Sequence, residues 1–328
     1  MLKHAWLPIV AVITVAGAVA VGPRGSMSSL TAGDPIEARI LSEVRIPRVT
    51  LGFLAGAALA TAGMAFQALF RNALATPYTL GVSAGASLGA AIYVHLGIMV
   101  SLAGIPGSAF AALAGAFLAI GLVYAVARAT HGFSPSTLLL AGVAIGFLCT
   151  SVILAIQYVG DVTTSFRIGR WLLGGLEVVG FLPVIHVLPF AVIGIAILLA
   201  ISRDLDLLVV GEESAASRGV PVTTVTKLIF AAASLMVGGV VATCGPIGFV
   251  GLVVPHVGRL VLGPSHRTLA PFSVMAGGTF LVACDAVGRT VVAPVEIPVG
   301  IITALVGGPF FLVMLVQGHR RQRLRGDA

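Results

Sequence analysis

The chain has 328 residues, of which 58% are hydrophobic and only 9% are charged, and its mean hydropathy is +1.09. This composition excludes a soluble globular domain, because a water-exposed surface of this size needs far more charged residues. The net charge of +7 does not indicate nucleic-acid binding, since the basic residues lie mostly between apolar segments, as membrane topology requires. We therefore expect a single all-α membrane domain over residues 1–328, embedded in a lipid bilayer.

Ten segments are candidate spans, because roughly 20 consecutive apolar residues are needed to cross the hydrocarbon core. They lie near residues 5–22, 48–69, 80–96, 107–128, 135–159, 181–201, 223–243, 246–262, 270–288 and 298–316. The eighth is short and is interrupted by glycine and proline. The first has features of a signal peptide, with small residues near Ser26, but its length favours a retained helix.

The distribution of basic residues predicts the orientation of these spans. When the N-terminus is cytoplasmic and the spans alternate, twelve lysines and arginines lie inside and seven outside, in agreement with the positive-inside rule. The inner set is Lys3, Arg71, Arg128, Arg203, Arg218, Lys227, Arg259, Arg267, Arg320, Arg321, Arg323 and Arg325. The outer set is Arg24, Arg39, Arg45, Arg48, Arg167, Arg170 and Arg289. We therefore expect both termini to be cytoplasmic.

A polar segment at residues 203–221 (RDLDLLVVGEESAASRGVP) interrupts the apolar sequence. Its first half places three apolar residues on one side: Leu205, Leu208 and Val209. Gly211 then breaks the helical pattern, and Glu212 and Glu213 open a short alanine-rich stretch that ends at Gly219. Carboxylates in a first turn and a glycine at the end favour a short helix. The segment therefore predicts a helix, a turn and a helix at the cytoplasmic membrane surface; a solvated loop is the alternative.

Small residues recur every three or four positions in the second and third spans. They are Gly52, Gly56, Ala60 and Gly63 in the second, and Gly81, Gly85 and Gly89 in the third. Such residues line one helix face and allow neighbouring backbones to approach closely. This pattern predicts a tightly packed helical body.

No catalytic, metal or cofactor motif is present in the sequence. Cys149, Cys244 and Cys284 lie far apart in apolar segments without zinc-site spacing, which favours small buried thiols. Intramembrane protease motifs and the nucleotide-binding GxxxxGK[ST] pattern are both missing, so we expect no catalysis and no ATP binding of that kind. Asp285 lies inside a span, with Arg289 one helical turn later, a spacing that allows an i,i+4 ion pair.

Several long segments resemble the permease subunits of the iron-chelate, haem and cobalamin ABC importers, the FecCD-type family. They are RIPRVTLGFLAGAALATAGMAFQALFRNALATPYTLGVSAGASLGA at 45–90, GEESAASRGV at 211–220, CGPIGFVGLVVPHVGRLVLGPSHRTLAP at 244–271, CDAVGR at 284–289 and EIPVGIITALVGGPFFLVML at 296–315. The resemblance implies a type II importer permease of the bacterial inner membrane. It implies ten spans per subunit, one path at the axis of a homodimer, and ATP and Mg bound only by separate ATPase subunits.

The resemblance also implies a pair of cytoplasmic coupling helices, from Asp206 to Gly219, that dock on the ATPase. The matching residues are Asp206, Gly211, Glu212, Glu213, Ala215, Ala216, Arg218 and Gly219. Small residues there permit close docking, and the acidic pair suits basic residues of a partner. Arg218 stands where the family usually has leucine, so the packing of this turn departs from the pattern.

At the outer end, the resemblance implies that arginines pair with acidic residues of a periplasmic substrate-binding protein. The matching residues are Arg45, Arg48 and Arg289. Arginine suits bidentate recognition of carboxylates. Two alternatives remain at this point: Arg45 and Arg48 anchor the second span by extending to the interface, and Arg289 serves Asp285.

The cytoplasmic gate of the family matches the turn before the fifth span. Its residues here are Ser134, Pro135, Ser136 and Thr137. The proline departs from the hydroxyl-rich form in the cobalamin importers.

Arg167 and Arg170 are expected near the outer mouth of the path. If they face the dimer axis they form a cationic ring suited to haem or a ferric siderophore; if they face outward they are interfacial arginines. His256 and Arg259 are expected to be structural.

The predicted function is a permease that moves a metal chelate from periplasm to cytoplasm, with haem or a ferric siderophore preferred and cobalamin next. The alternative is a ten-span secondary transporter of the drug/metabolite type, driven by a gradient. Such carriers usually contain two similar halves, whereas the polar segment at 203–221 has no counterpart in the first half of this chain. Dependence of transport on ATP separates the two functions.

Overall fold

A computed structural model of the protein describes residues 6–20, 35–98, 100–102, 105–130 and 135–326. Within these residues the fold is almost entirely helical, and the only strands form a two-residue antiparallel hairpin, β1 (Ser101–Leu102) with β2 (Ile105–Pro106). The all-α fold predicted from composition is confirmed.

Ten helices correspond to the ten predicted spans. They are α1 (Trp6–Ala20), α3 (Ile46–Leu69), α4 (Val82–His95), α5 (Gly107–Ala129), α6 (Pro135–Val159), α8 (Leu182–Ala200), α11 (Val222–Cys244), α12 (Val250–Leu262), α13 (His266–Thr290) and α14 (Val299–Gly326). Six apolar helical stretches in the described part of the chain are long enough to cross a membrane, and four apolar helices are shorter. The short, proline-containing eighth span is α12.

The remaining helices are short and lie between the spans. They are α2 (Pro35–Ile40), a π-helical turn (Leu41–Arg45), a 3-10 turn (Pro77–Leu80), α7 (Val162–Leu172), α9 (Ser202–Val210) and α10 (Glu212–Ser217). Helices α9 and α10 are the helix–turn–helix predicted from the polar segment, whereas α2 and α7 were not predicted from the sequence. Asp161 begins α7 as its N-cap, because its carboxylate accepts a hydrogen bond from the Thr164 amide at 3.2 Å.

The centre of the bundle is α3, which is buried along most of its length and packs against α8, α11, α12 and α13. Glycine permits these contacts at two crossings. A Cβ atom added at Gly56 would overlap the carbonyl oxygen of Gly277 on α13, and one added at Gly63 would overlap Gly251 on α12. The close packing predicted from the small-residue pattern is therefore present. The three cysteines are buried and unpaired, as expected.

Charged contacts define two opposite ends of this bundle. Helix α3 has 24 residues and is therefore about 36 Å long. Arg48, in its first turn, contacts Asp285 near the end of α13, whereas Arg71, just beyond its last turn, contacts Glu212 of α10. We call these the Arg48 end and the α10 end.

Candidate functional site

The polar segment forms the predicted helix–turn–helix at the α10 end. Leu205 and Leu208 are fully buried, but Val209 is 42% exposed. The buried side of α9 is therefore narrower than the three apolar residues predicted. Gly211 joins the two helices with φ of +151°, and Gly219 follows α10 with φ of +84°. Side chains rarely adopt these backbone angles, so glycine is required at both turns.

Helix α10 presents polar and small residues on its outer surface. Glu213, Ala216 and Arg218 are exposed, whereas Ala215 is buried against the bundle. Glu212 is half exposed and lies 3.8 Å from the guanidinium of Arg71. The exposed side of α10 therefore carries the carboxylate of Glu213 next to the small side chain of Ala216, which allows a partner to approach closely.

A cavity of about 790 Å³ brings part of the predicted gate next to α10. Its lining residues are Phe70, Arg71, Ser136, Leu139, Gly211, Glu212 and Glu213. Ser136 and Thr137 lie in the first turn of α6, not in a turn before it, and Pro135 is the first residue of that helix. Ser134 lies outside the described residues. The start of α6 and the start of α10 thus border one space.

Asp206 faces the bundle. Its Oδ1 accepts hydrogen bonds from the backbone amide of His266 at 2.6 Å and is 2.8 Å from the Nδ1 of the same residue. Its Oδ2 accepts a hydrogen bond from the Ser265 hydroxyl at 3.0 Å. We call these three residues the Asp206 joint; it connects α9 to the first turn of α13.

At the opposite end, four charged side chains form a group that we call the Arg48 cluster: the buried Arg48, Asp285 and Arg289, and the partly exposed Glu296. Arg48 donates through Nη2 to Asp285 at 2.9 Å and through Nη1 to Glu296 at 2.6 Å. The ion pair that the spacing of Asp285 and Arg289 allows is present, at 3.0 Å. Arg289 also donates to the carbonyl of Ala18 on α1, at 3.1 Å. The cluster therefore joins α1, α3, α13 and the segment after α13.

Arg45 adds a further pair beside this cluster, 3.6 Å from Glu37 of α2. All three arginines expected at the docking surface are buried, and they line one cavity of about 350 Å³ together with Glu37 and Glu296. Buried guanidinium groups need carboxylate partners, because an uncompensated charge in such a place is costly. The chain supplies those partners itself.

Arg167 and Arg170 lie on α7, a helix that the sequence interpretation did not assign. Both are exposed and line a pocket of about 490 Å³ that also includes Glu177 and Trp171. Arg170 is 3.0 Å from Glu177, and both side chains of this pair are about 60% exposed. The pocket lies at the Arg48 end, since α6 runs from Ser136 beside α10 to this side.

The described residues contain no group of three or more His, Cys, Asp or Glu side chains that would hold a metal ion. His256 instead contacts the ring of Phe310 edge-on, with centroids 6.1 Å apart, which connects α12 to α14. This contact supports the structural role expected for it.

ABC transporter permeases match 84–92% of this chain. The uncharacterized ABC transporter permease YvrB of Bacillus subtilis is 41% identical, over 92% of this chain and 85% of its own length. The cobalamin import system permease BtuC of Halobacterium salinarum is 43% identical, over 84% and 73%. The hemin transport system permease HmuU of Yersinia pestis is 37% identical, over 85% and 84%.

The fold also matches a solved structure described as an inward-facing conformation of a metal-chelate type ABC transporter. The TM-score is 0.86 at 29% identity, over 95% of this chain and 97% of that one. The sequence model of the FecCD transport family matches residues 6–317. The chain therefore belongs to the FecCD transport family and is a membrane permease of an ABC transporter.

Proposed function

We propose that this chain moves a metal chelate from the periplasm to the cytoplasm, driven by ATP hydrolysis on separate ABC ATPase subunits. The observation that carries this proposal is the α10 surface. Glu213 is exposed on α10, whose Ala215 is buried against the bundle. A carboxylate and small side chains on such a surface suit a protein partner with basic residues.

In this mechanism the chain works as a homodimer in the bacterial inner membrane, with both termini cytoplasmic. ATP closes the two ATPase subunits, which displaces α9 and α10, and the spans then rock to open the path to the other side. The cavity between α10 and the start of α6 supports this proposal, because displacement of Glu212 or Glu213 changes a space that Ser136 also borders.

The cargo proposal depends on Arg167 and Arg170. Two copies of this pair around a dimer axis would give a cationic entrance suited to carboxylate-bearing chelates. Haem or a ferric siderophore is therefore preferred, and cobalamin comes next. Glu177 reduces the net positive charge of this entrance, because it pairs with Arg170.

We further propose that a periplasmic binding protein docks at the Arg48 end. A carboxylate of that protein would reach Arg45 through the cavity of about 350 Å³ and compete with Glu37, whose contact is long at 3.6 Å. Arg48 and Arg289 contribute positive potential there, although their own hydrogen bonds are made within the chain.

The test is uptake into proteoliposomes that contain the permease, its ATPase and its binding protein. The labelled probes are haem, a ferric hydroxamate, cyanocobalamin and molybdate, each with ATP, without ATP and with an ion gradient alone. ATP-dependent uptake of one chelate supports the proposal and names the cargo. Uptake driven by a gradient in the absence of the ATPase would contradict it and favour the secondary transporter.

The Arg167→Gln/Arg170→Gln variant tests the entrance. We expect slower uptake of a carboxylate-bearing cargo, because the attraction at the mouth is lost. The matched control is Arg39→Gln, which removes an exposed arginine at the same end that pairs with Glu43 at 3.0 Å. Equal loss of uptake in both variants would contradict a specific role for the α7 pair.

A further inference from the structure

The Asp206 joint has an unusual arrangement at the start of α13. Ser265 occupies the N-cap position of this helix, yet its side chain makes no capping hydrogen bond to its own helix. Its hydroxyl donates to Asp206 instead, and the Asp206 carboxylate accepts the amide hydrogen of His266. A helix N-terminus that is normally capped by a neighbouring residue is thus capped from α9, about 60 positions earlier in the chain.

The first turn of α13 depends on this contact more than an ordinary helical turn would. Pro271 lies inside the helix and has no amide hydrogen, so the carbonyl of Arg267 lacks its usual backbone donor. His266 is only 3% exposed, so in the intact joint its amide relies on Asp206 rather than on water. The carboxylate also lies favourably at the positive end of the helix dipole.

Helix α13 continues from this joint to the other end of the molecule. It has 25 residues and is therefore about 37 Å long. Its middle touches α3 backbone to backbone at Gly277, and its last turns carry Asp285 and Arg289 of the Arg48 cluster. The start of α13 thus donates hydrogen bonds to the Asp206 carboxylate of the coupling segment, and its last turns supply Asp285 and Arg289 to the charge cluster at the other end.

We infer that Asp206 is a positioning residue that connects α9 to α13, so that movement of the coupling helices reaches the Arg48 end through α13. This inference rests on the proposed function. It gives Asp206 a role different from that of Glu213: Asp206 transmits movement within the chain, whereas Glu213 contacts the partner.

The experiment measures an ATP-driven distance change at the far end of α13 in the complex of permease and ATPase. Spin labels are attached to cysteines introduced at Val162 and Val291, which are 87% and 66% exposed, after the three native cysteines are replaced by alanine. Labelled protomers are diluted into unlabelled ones, and pulsed electron paramagnetic resonance compares nucleotide-free complex with complex trapped by ATP and vanadate. No cargo is needed.

We expect a displacement of about 1–2 Å or more in the parent protein, which is typical of helix shifts between functional states. Asp206→Ala should abolish it while the ATPase still co-purifies. Asp206→Asn keeps one acceptor oxygen and should retain part of the shift, as should Ser265→Ala, which removes one of the three contacts. The matched control, Asp204→Asn, changes the same residue type on the same helix and should leave the shift unchanged.

An unchanged shift in Asp206→Ala would overturn the inference, as would equal losses in Asp206→Ala and Asp204→Asn, or a parent complex without any shift at α13. If Asp206→Ala does not fold, the comparison between Asp206→Asn and Asp204→Asn decides. Failure of the parent permease to retain an ATPase is a different outcome, because it contradicts the proposed function itself.

Discussion

The two ends of the bundle use charge in opposite ways. At the Arg48 end, Arg48 and Arg289 are buried and share the carboxylate of Asp285 over distances of 2.9–3.0 Å, and Glu296 supplies the second negative charge at 2.6 Å from Arg48. At the α10 end, Glu213 is exposed, and the contact between Arg71 and Glu212 is long, at 3.8 Å, with both side chains nearly half exposed. Buried charges with short contacts hold helices together, whereas exposed ones with weak internal contacts remain available to a partner.

This difference predicts different effects for substitutions at the two ends. The arginines of the Arg48 end are held in ion pairs within the chain and also line a cavity, so their replacement is expected to disturb folding before it disturbs any contact with a partner. Substitution of the acidic pair of α10 is expected to weaken association with the ATPase and to leave the fold intact. Stability and association measurements on the same variants therefore distinguish the two ends.

The largest effect on stability is expected for Asp285→Ala. This change leaves the buried guanidinium groups of Arg48 and Arg289 without their shared carboxylate, which should cost about 3–5 kcal/mol of unfolding free energy. Unfolding by denaturant in detergent micelles measures it. Glu43→Ala is the control, since it breaks an exposed pair with Arg39 and should change stability by no more than about 1 kcal/mol. Equal effects of the two changes would contradict the account of the Arg48 cluster.

A smaller effect is expected midway between the ends, for Gly56→Ala. The added Cβ would overlap the Gly277 carbonyl, so α3 and α13 must separate, at a cost of about 1–3 kcal/mol. Gly121→Ala on α5 is the matched control, because nothing lies within 4 Å of the added atom there. Unfolding by denaturant in detergent micelles measures this effect as well. Unchanged stability of Gly56→Ala would contradict the close backbone contact between α3 and α13.

The smallest effect is expected at the α10 end, for Arg71→Gln. The partly exposed contact with Glu212 should contribute no more than about 1 kcal/mol to unfolding free energy, and raised salt should remove that contribution. Denaturant titrations at low and high ionic strength check both points. A loss as large as that of Asp285→Ala would erase the contrast between the two ends.

Elements set by local chemistry were predictable from the sequence. Bilayer thickness fixes the length of a span, so hydropathy alone located ten helices. Gly211 and Gly219 marked the turns around α10, because few other residues adopt their backbone angles. The pair of Asp285 and Arg289 was predictable because its members are one helical turn apart.

Contacts between distant segments were not predictable in the same way. Arg48 and Asp285 are 237 positions apart, and Asp206 and His266 are 60 apart. Nothing in either segment alone identifies the other as its partner, because the packing of α3 and α9 on α13 creates both contacts. Helix α7 was missed for a different reason: it is short and amphipathic, and its one local signal is the N-cap residue Asp161.

The most direct test of the central claim is recovery of the ATPase with the purified permease after charge reversal at α10. Glu213→Lys should lower that recovery at least about tenfold, because a like charge at a protein interface costs several kcal/mol. Glu43→Lys, an exposed reversal at the opposite end, should recover as much ATPase as the parent protein, and the unfolding free energy of both variants should stay near the parent value. Undiminished recovery with Glu213→Lys, together with transport that persists without ATP, would contradict the account.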